Sequence, residues 1–251
     1  MKKLYLPLIK KGGRYFHTSR RSAELIKYAS NAFLATKITF INEIANLCEK
    51  SNIDVKEVAI GMGLDERIGS RFLRAGPAYG GSCFPKDTRA LVSTGRIFKT
   101  NLSVVKSVIN SNDKRTNLLL NKISKIMNNK IKNKNITFLG VTFKPGTDDM
   151  RESSSLKMIP ALSRKGAYIN YYEPTGKKKE LKSKNINFSE NIEDACKNAD
   201  LIIIHTEWNE FKQLNFKKIT KKRNFKVFDM RNLYSTSEMK KNKINYFSIG
   251  R

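Results

Sequence analysis

Two histidines, three cysteines and one tryptophan in 251 residues leave little material for several kinds of chemistry. Cys48, Cys83 and Cys196 are odd in number and far apart, so they form neither a disulfide framework nor a zinc pattern. His17 sits in a basic stretch and His205 ends an apolar run, where a satisfied imidazole fits better than a ligand. No metal site is expected. No run approaches the ~20 apolar residues that cross a bilayer. Lys2, Lys3, Lys10, Lys11 and Arg14 precede no signal-peptide core, so a membrane partner is not expected and free thiols point to a reducing cytoplasm. A G-x-G-x-x-G after a strand, the fingerprint of dinucleotide binding, occurs nowhere in these residues.

Acidic residues are also scarce. Twenty-two Asp and Glu face 49 Lys and Arg, a net charge of +27. Lysines cluster at 130–134, 177–184 and 217–226 with no interleaved aromatics and no nucleic-acid fold signature, so no specific nucleic-acid partner is expected. They read as solvated loops whose field would draw in an anionic ligand. At 39% hydrophobic and 28% charged the chain is globular, and its length suits about two domains.

What is present centres on residues 76–87, Gly-Pro-Ala-Tyr-Gly-Gly-Ser-Cys-Phe-Pro-Lys-Asp. Three glycines and two prolines in twelve residues exclude a regular helix or central strand and predict a shaped loop. Gly80 and Gly81 let backbone N–H groups approach an anion. Lys86 beside Cys83 favours the nucleophilic thiolate, and Asp87 can orient the lysine or a water. A structural turn around a small buried thiol is the competing reading.

Residues 22–50 read as one helix, capped by Ser22 with Glu24 in the first turn and with Leu25, Ala29, Ala32, Phe33, Thr36, Phe40, Ile44 and Leu47 at helical steps. Lys27 and Asn31 share a face one turn apart, which suits an oxyanion and a sugar hydroxyl or, equally, surface solvation. Further helices are expected at about Val55–Met62, from Asp87 to Ser93, and at Val104–Met127, with a break near 128–135. Beyond it, strands at Ile136–Val141, Tyr168–Tyr172, Leu201–His205 and Lys226–Asp229 alternate with helices at Ser155–Lys165 and Ile192–Asn198. That alternation predicts a Rossmann-like parallel sheet after a helical domain, an α/β fold. Phe143, Lys144, Arg151 and Arg231 follow strand ends, where ligands bind, although structural ion pairing would also account for each arginine. Ser153, Ser154 and Ser155 suit the cap of the next helix.

The wording of these segments carries more. Gly80-Gly81-Ser82-Cys83-Phe84-Pro85-Lys86-Asp87 resembles the catalytic-cysteine motif of the UDP-glucose/GDP-mannose dehydrogenase family. Residues 22–31 and 40–43 resemble its central helix, and residues 138–155 the opening of its third domain. Residues 206–211, 228–232 and 246–251 resemble later parts of that domain. The resemblance implies NAD-dependent, four-electron oxidation of a nucleotide sugar, with the wording favouring UDP-glucose over GDP-mannose or a UDP-N-acetylhexosamine. It makes Cys83, Lys27, Asn31 and Asp87 catalytic. Lys27 and Asn31, with Arg67, Arg74, Gly76, Tyr79, Gly80, Phe143, Lys144 and Arg231, would bind substrate, and Cys83, Lys86 and Arg151 would touch the cofactor. It implies a homodimer or larger homo-oligomer through the central helix, although the apolar density of residues 32–47 fits an internal core as well. It also implies a division into a linking piece (1–21), a helical central domain (22–127) and a UDP-sugar-binding domain (135–251). Two departures stand out: Tyr172-Glu173-Pro174 replaces the usual Tyr-Asp-Pro, and the family's first, cofactor-binding domain has no counterpart. The chain alone is therefore expected to be inactive, and a non-catalytic sugar-nucleotide-binding or dimerising remnant is the alternative of another class.

Overall fold

Helices fill the first half of the computed structural model, which describes residues 1–251. Helix α1 (Lys2–Lys10) buries none of its residues. Helix α2 (Arg20–Ser51) is capped by Ser19, whose side chain accepts the Ser22 N–H at 3.1 Å. The expected Ser22 cap is therefore three residues late, and Glu24 falls outside the first turn. The apolar residues of α2 separate into two faces. Ala32, Ala35, Ile41, Ala45 and Cys48 are buried, whereas Leu25, Phe33, Phe40 and Leu47 face outward.

Helices α3 (Val55–Gly63), α4 (Phe84–Ile97) and α5 (Ser103–Ile126) complete this layer. Helix α4 starts three residues before the expected Asp87. Pro85 sits in its first turn, where a missing N–H breaks no hydrogen bond. The shaped loop thus ends at Cys83, the N-cap residue. After α5, Asn128, Asn129 and Asn133 adopt φ of 52°, 58° and 59°. Asparagine tolerates this left-handed region better than most residues, which explains the break in the pattern there.

The second half is one six-stranded parallel sheet. Its strands are β1 (Asn135–Leu139), β2 (Tyr168–Tyr172), β3 (Ile186–Phe188), β4 (Leu201–Ile204), β5 (Lys226–Asp229) and β6 (Asn245–Ser248). Helices α6 (Ser155–Arg164), α7 (Ile192–Cys196), α8 (Phe216–Ile219) and α9 (Thr236–Lys241) lie between them. The strand order is β3-β2-β1-β4-β5-β6, with Phe138 in register with both Tyr171 and Ile203. Strand β4 is buried at all four positions, as a central parallel strand covered on both faces must be. This is a doubly wound order that reverses direction between β1 and β4, and the crevice beyond those strand ends is where such sheets bind ligands.

The helical layer and the sheet share a core. Ile41 and Ala45 of α2 and Leu119 and Ile123 of α5 belong to one buried cluster with Phe138, Ile203 and Phe228. A second cluster, including Ile202, Ile204, Val227, Phe211 and Tyr234, covers the other sheet face. Each fully buried side chain of this kind stabilises the fold by roughly 1.5–3 kcal/mol. The chain's last residues reinforce the junction: Val55 N–H donates to Gly250 O at 2.8 Å, and Gly250 N–H to Glu49 Oε1 at 2.8 Å. Lys122 Nζ bridges Glu49 Oε1 (2.5 Å) and Ser248 O (2.6 Å). No helix is long and apolar enough to cross a membrane.

Candidate active site

The loop of residues 76–83 lies where the helical layer meets the carboxyl ends of the strands. Its thiol is exposed at the head of α4, while Cys48 and Cys196 are buried. One turn into α4, Asp87 is the point on which three other groups converge. Asn31 Nδ2 donates to Asp87 Oδ2 at 2.5 Å, and Lys27 Nζ lies 3.7 Å from the same oxygen. Lys86 Nζ lies 3.0 Å from Oδ1, a close ion-pair contact. The Asp87 side chain is only 4% exposed, whereas those of Lys27 and Lys86 are 61% and 69% exposed. Burial alone would raise the Asp87 pKa. The hydrogen bonds from Lys86 and Asn31, with the two lysine charges, outweigh it and hold the carboxyl below its usual range. In return Lys86 is raised, chiefly by its bond to Asp87 and slightly by the Cys83 sulfur.

Two loops of the sheet half close on the cysteine loop. Gly81 N–H donates to Arg151 O at 2.8 Å, and the Phe143 ring lies against Gly81. Gly80 packs on the carbonyl of Glu152, itself in a left-handed conformation with φ of 52°. Phe72, on the approach to the loop, has φ of 67°. Such a conformation in a bulky residue is uncommon and characteristic of sites held by their surroundings. Arg89 of α4 bonds Glu152 Oε1 at 3.1 Å across the same seam.

Arg231 follows β5 and reaches into this crevice. Its Nε lies 2.8 Å from His205 O and 2.9 Å from Glu207 Oε2, and its Nη2 donates to Phe143 O at 3.2 Å. A side chain at Gly76 would meet Arg231 Nη1 at 3.2 Å, so that end of the guanidinium lies over the loop backbone. Burial lowers the Arg231 pKa against the charges of Glu207 and Asp229. His205 is wholly buried, its Nε2 2.8 Å from Ser154 Oγ, and burial pulls its pKa down to about 3. It is a neutral packing residue.

Not every residue singled out from the sequence joins this cluster. Arg67 is exposed and makes a bidentate pair with Asp65. Arg74 is exposed, and Lys144 is exposed with its ammonium 5.5 Å from the Phe143 ring centre. Arg151 pairs bidentately with Asp149 but keeps a 69%-exposed side chain, and the Cys83 sulfur is a minor contributor to its raised pKa after Asp149. Ser153, Ser154 and Ser155 do not cap α6. The hydroxyls of Ser153 and Ser155 donate to Val141 O, and that of Ser154 meets His205. Sequence reasoning missed Asn42, Asn112, Arg115 and Glu207, whose contacts to backbone or to Arg231 have no local signature. Among His, Cys, Asp and Glu side chains, no group of three is placed to hold a metal ion.

Comparison with known proteins bears on the same residues. Residues 21–114 match the central domain, and residues 137–236 the UDP-binding domain, of the UDP-glucose/GDP-mannose dehydrogenase family. The chain is 43% identical over 254 aligned positions to UDP-glucose 6-dehydrogenase of Rickettsia prowazekii and 45% to that of Rhizobium meliloti. Both alignments take in 100% of this chain and 58% of the relative. The chain thus spans a little over half the length of these curated relatives. Among solved structures, a UDP-glucose dehydrogenase from Pyrobaculum islandicum superposes with a TM-score of 0.80 at 29% identity, over 92% of this chain and 51% of that one. An NDP-N-acetyl-D-galactosaminuronic acid dehydrogenase from Methanosarcina mazei does so with a TM-score of 0.82 at 26% identity, over 93% and 51%.

Proposed function

Because the chain belongs to the UDP-glucose/GDP-mannose dehydrogenase family, we propose that it supplies the thiol and the substrate pocket for NAD-dependent oxidation of UDP-glucose to UDP-glucuronate. The observation that carries this reading is the convergence of Lys27, Asn31 and Lys86 on the buried Asp87 carboxylate, one helical turn from an exposed thiol.

In this reading the Cys83 sulfur attacks the sugar aldehyde, forming a C–S bond while the carbonyl oxygen takes the negative charge. Lys27, exposed and one turn from Asn31, stabilises that oxygen. Asn31 fixes the sugar hydroxyl, and Asp87, through the lysines paired with it, positions the attacking water. The thioester reached after oxidation is cleaved by that water, which releases the carboxylate and restores the thiol. Arg231 and Lys144, beyond the strand ends, face the diphosphate, and Phe143 closes the pocket. Arg67, Arg74 and the Gly80 N–H hold the nucleotide sugar, with Gly76 and Tyr79 shaping the loop around it. The exposed ammonium of Lys86 and guanidinium of Arg151, both close enough to interact with the Cys83 sulfur, suit an anionic dinucleotide. These two residues and Cys83 would hold NAD, two molecules of which, bound in succession, would each accept one hydride. No other element of this chain offers it a glycine-rich strand–helix turn.

The domain division near residues 128–134 and a homodimer belong to the same proposal. Ile26, Phe33, Phe40 and Leu47 are spaced seven apart on α2 and are all exposed, a stripe suited to a second copy of the helix. Calorimetric titration with UDP-glucose, UDP-N-acetylglucosamine and GDP-mannose, with Cys83→Ser alongside, tests the function. Selective binding of UDP-glucose that survives the substitution is expected. Selective binding of either other sugar would reassign the substrate, and binding of none would leave this chain without a pocket of its own.

A further inference from the structure

The loop that carries the chemistry makes almost none of its own hydrogen bonds. Residues 70–80 donate no backbone–backbone hydrogen bond, and the first such donor beyond them is Gly81. A buried backbone left unpaired is costly, so its partners must be found elsewhere. They are side chains of two helices. Asn42 Oδ1 of α2 accepts Gly76 N–H at 2.8 Å, and Arg115 Nε of α5 donates to Gly76 O at 2.7 Å. Asn112 of α5 accepts Tyr79 N–H at 3.0 Å and donates to Tyr79 O at 3.2 Å. Asn112 and Arg115 are three residues apart, so they leave the same face of α5. Each side chain satisfies the loop as a neighbouring strand would.

We propose that Asn112, with Asn42 and Arg115, is a positioning residue that sets the shape of residues 76–83 and thereby the presentation of Cys83. Three features separate this from ordinary packing. Asn112 grips both polar groups of one residue, which fixes the orientation of that peptide unit and not merely its place. The gripped residues alternate with Ala75, Ala78 and Gly80, whose N–H groups have no partner within the protein and are left for a ligand. Arg115 is buried, makes no ion pair with a carboxylate and donates from Nε to Gly76 O and from Nη1 to Asn42 O and Asn46 Oδ1, while its Nη2 has no partner. Burial lowers its pKa to about 10, so it remains a cation at neutral pH. The consequence for substrate rests on the function proposed above; the consequence for the thiol does not.

The test uses the full chain and two readouts. The first is the rate of Cys83 alkylation by iodoacetamide at fixed pH, followed by mass spectrometry of the peptide. Buried Cys48 and Cys196 serve as internal references. The second is UDP-glucose affinity by calorimetry. Asn112→Ala is compared with Asn112→Asp, which keeps the acceptor for Tyr79 N–H but loses the donor. Ile123→Val, a core change on the same helix, controls for stability. Asn112→Ala is expected to change the alkylation rate several-fold and to weaken UDP-glucose binding about tenfold, with Asn112→Asp between it and the parent. Ile123→Val is expected to leave both unchanged. Parent-like alkylation in Asn112→Ala, or an equal change in Ile123→Val, overturns the positioning role. If the parent chain does not bind UDP-glucose, the function proposal fails and the alkylation rates still decide this one.

Discussion

Gly80→Ala probes the seam between the cysteine loop and the sheet half most directly. A Cβ at Gly80 would press on the Glu152 carbonyl oxygen, and would lie 3.1 Å from its carbon and 3.2 Å from Phe143 Cβ. The obstacle is mostly backbone, which cannot rotate aside as a side-chain tip would, so the two loops must part by some tenths of an ångström. Overpacking of this kind costs about 1–3 kcal/mol. Stretching the 2.8 Å Gly81–Arg151 hydrogen bond adds about 1 kcal/mol. Gly176→Ala is the control. Gly176 has φ of 83° with nothing within 4 Å of the added carbon, so it incurs only left-handed strain of about 1–2 kcal/mol. Urea unfolding should place Gly80→Ala about 2–4 kcal/mol below the parent. UDP-glucose calorimetry should then show at least about a tenfold loss for Gly80→Ala and none for Gly176→Ala. A Gly80→Ala chain within about 0.5 kcal/mol of the parent and with unchanged affinity would refute the close apposition of the two loops.

Other perturbations follow from the same geometry. Asp87→Asn leaves Lys27 and Lys86 without their shared anion and should lower stability at neutral pH, read by urea unfolding. Because the folded Asp87 pKa is depressed, its contribution to stability is present above about pH 4 and lost as pH falls further. The parent and Asp87→Asn stability curves should therefore converge in acid, and a constant gap down to pH 2 would count against the ion cluster. His205 also loses stability as pH falls, but in a higher window and because of burial. Its unfolded form takes up a proton below about pH 6.5, while the folded form resists down to about 3. Stability should therefore fall by about 1.4 kcal/mol per pH unit in that window, with a shallower slope in His205→Gln. Equal slopes would mean that His205 is charged in the fold. Phe33→Asp with Phe40→Asp should halve the mass seen by light scattering with little change in Tm, since both rings are exposed. A parent chain that already runs as a monomer would refute the helix–helix pairing.

The sequence made long, strongly patterned elements legible. Strands β2 and β5 lie where the pattern places them, as do the bodies of α2, α5 and α6, because apolar periodicity there coincides with burial. Strands β3 and β6 escaped notice. They are three and four residues long, edge the sheet, and sit among lysines and asparagines with little alternation. Chain order along α2 could not separate its inward face from its outward stripe, since Phe33 and Phe40 are as apolar as Ile41. Of the site, Cys83, Lys86 and Asp87 were readable because they are contiguous, and Lys27 with Asn31 because they share a helix face. The grip of Asn42, Asn112 and Arg115 was not. Each is a polar residue at a helical position with no local clue to the loop it holds, and only the tertiary fold brings them to the backbone of Gly76 and Tyr79.

That grip has a consequence for divergence among relatives. A loop held by its own side chains loses its shape when they change, whereas this one is moulded from outside, through main-chain atoms that every amino acid possesses. Ala78 contributes no side-chain bond to the helices that cradle it, whereas the Ser82 hydroxyl lies 3.7 Å from the Cys83 sulfur. Position 78 is therefore free to drift while the mould stays constant, so relatives could vary the loop there and leave α2 and α5 untouched.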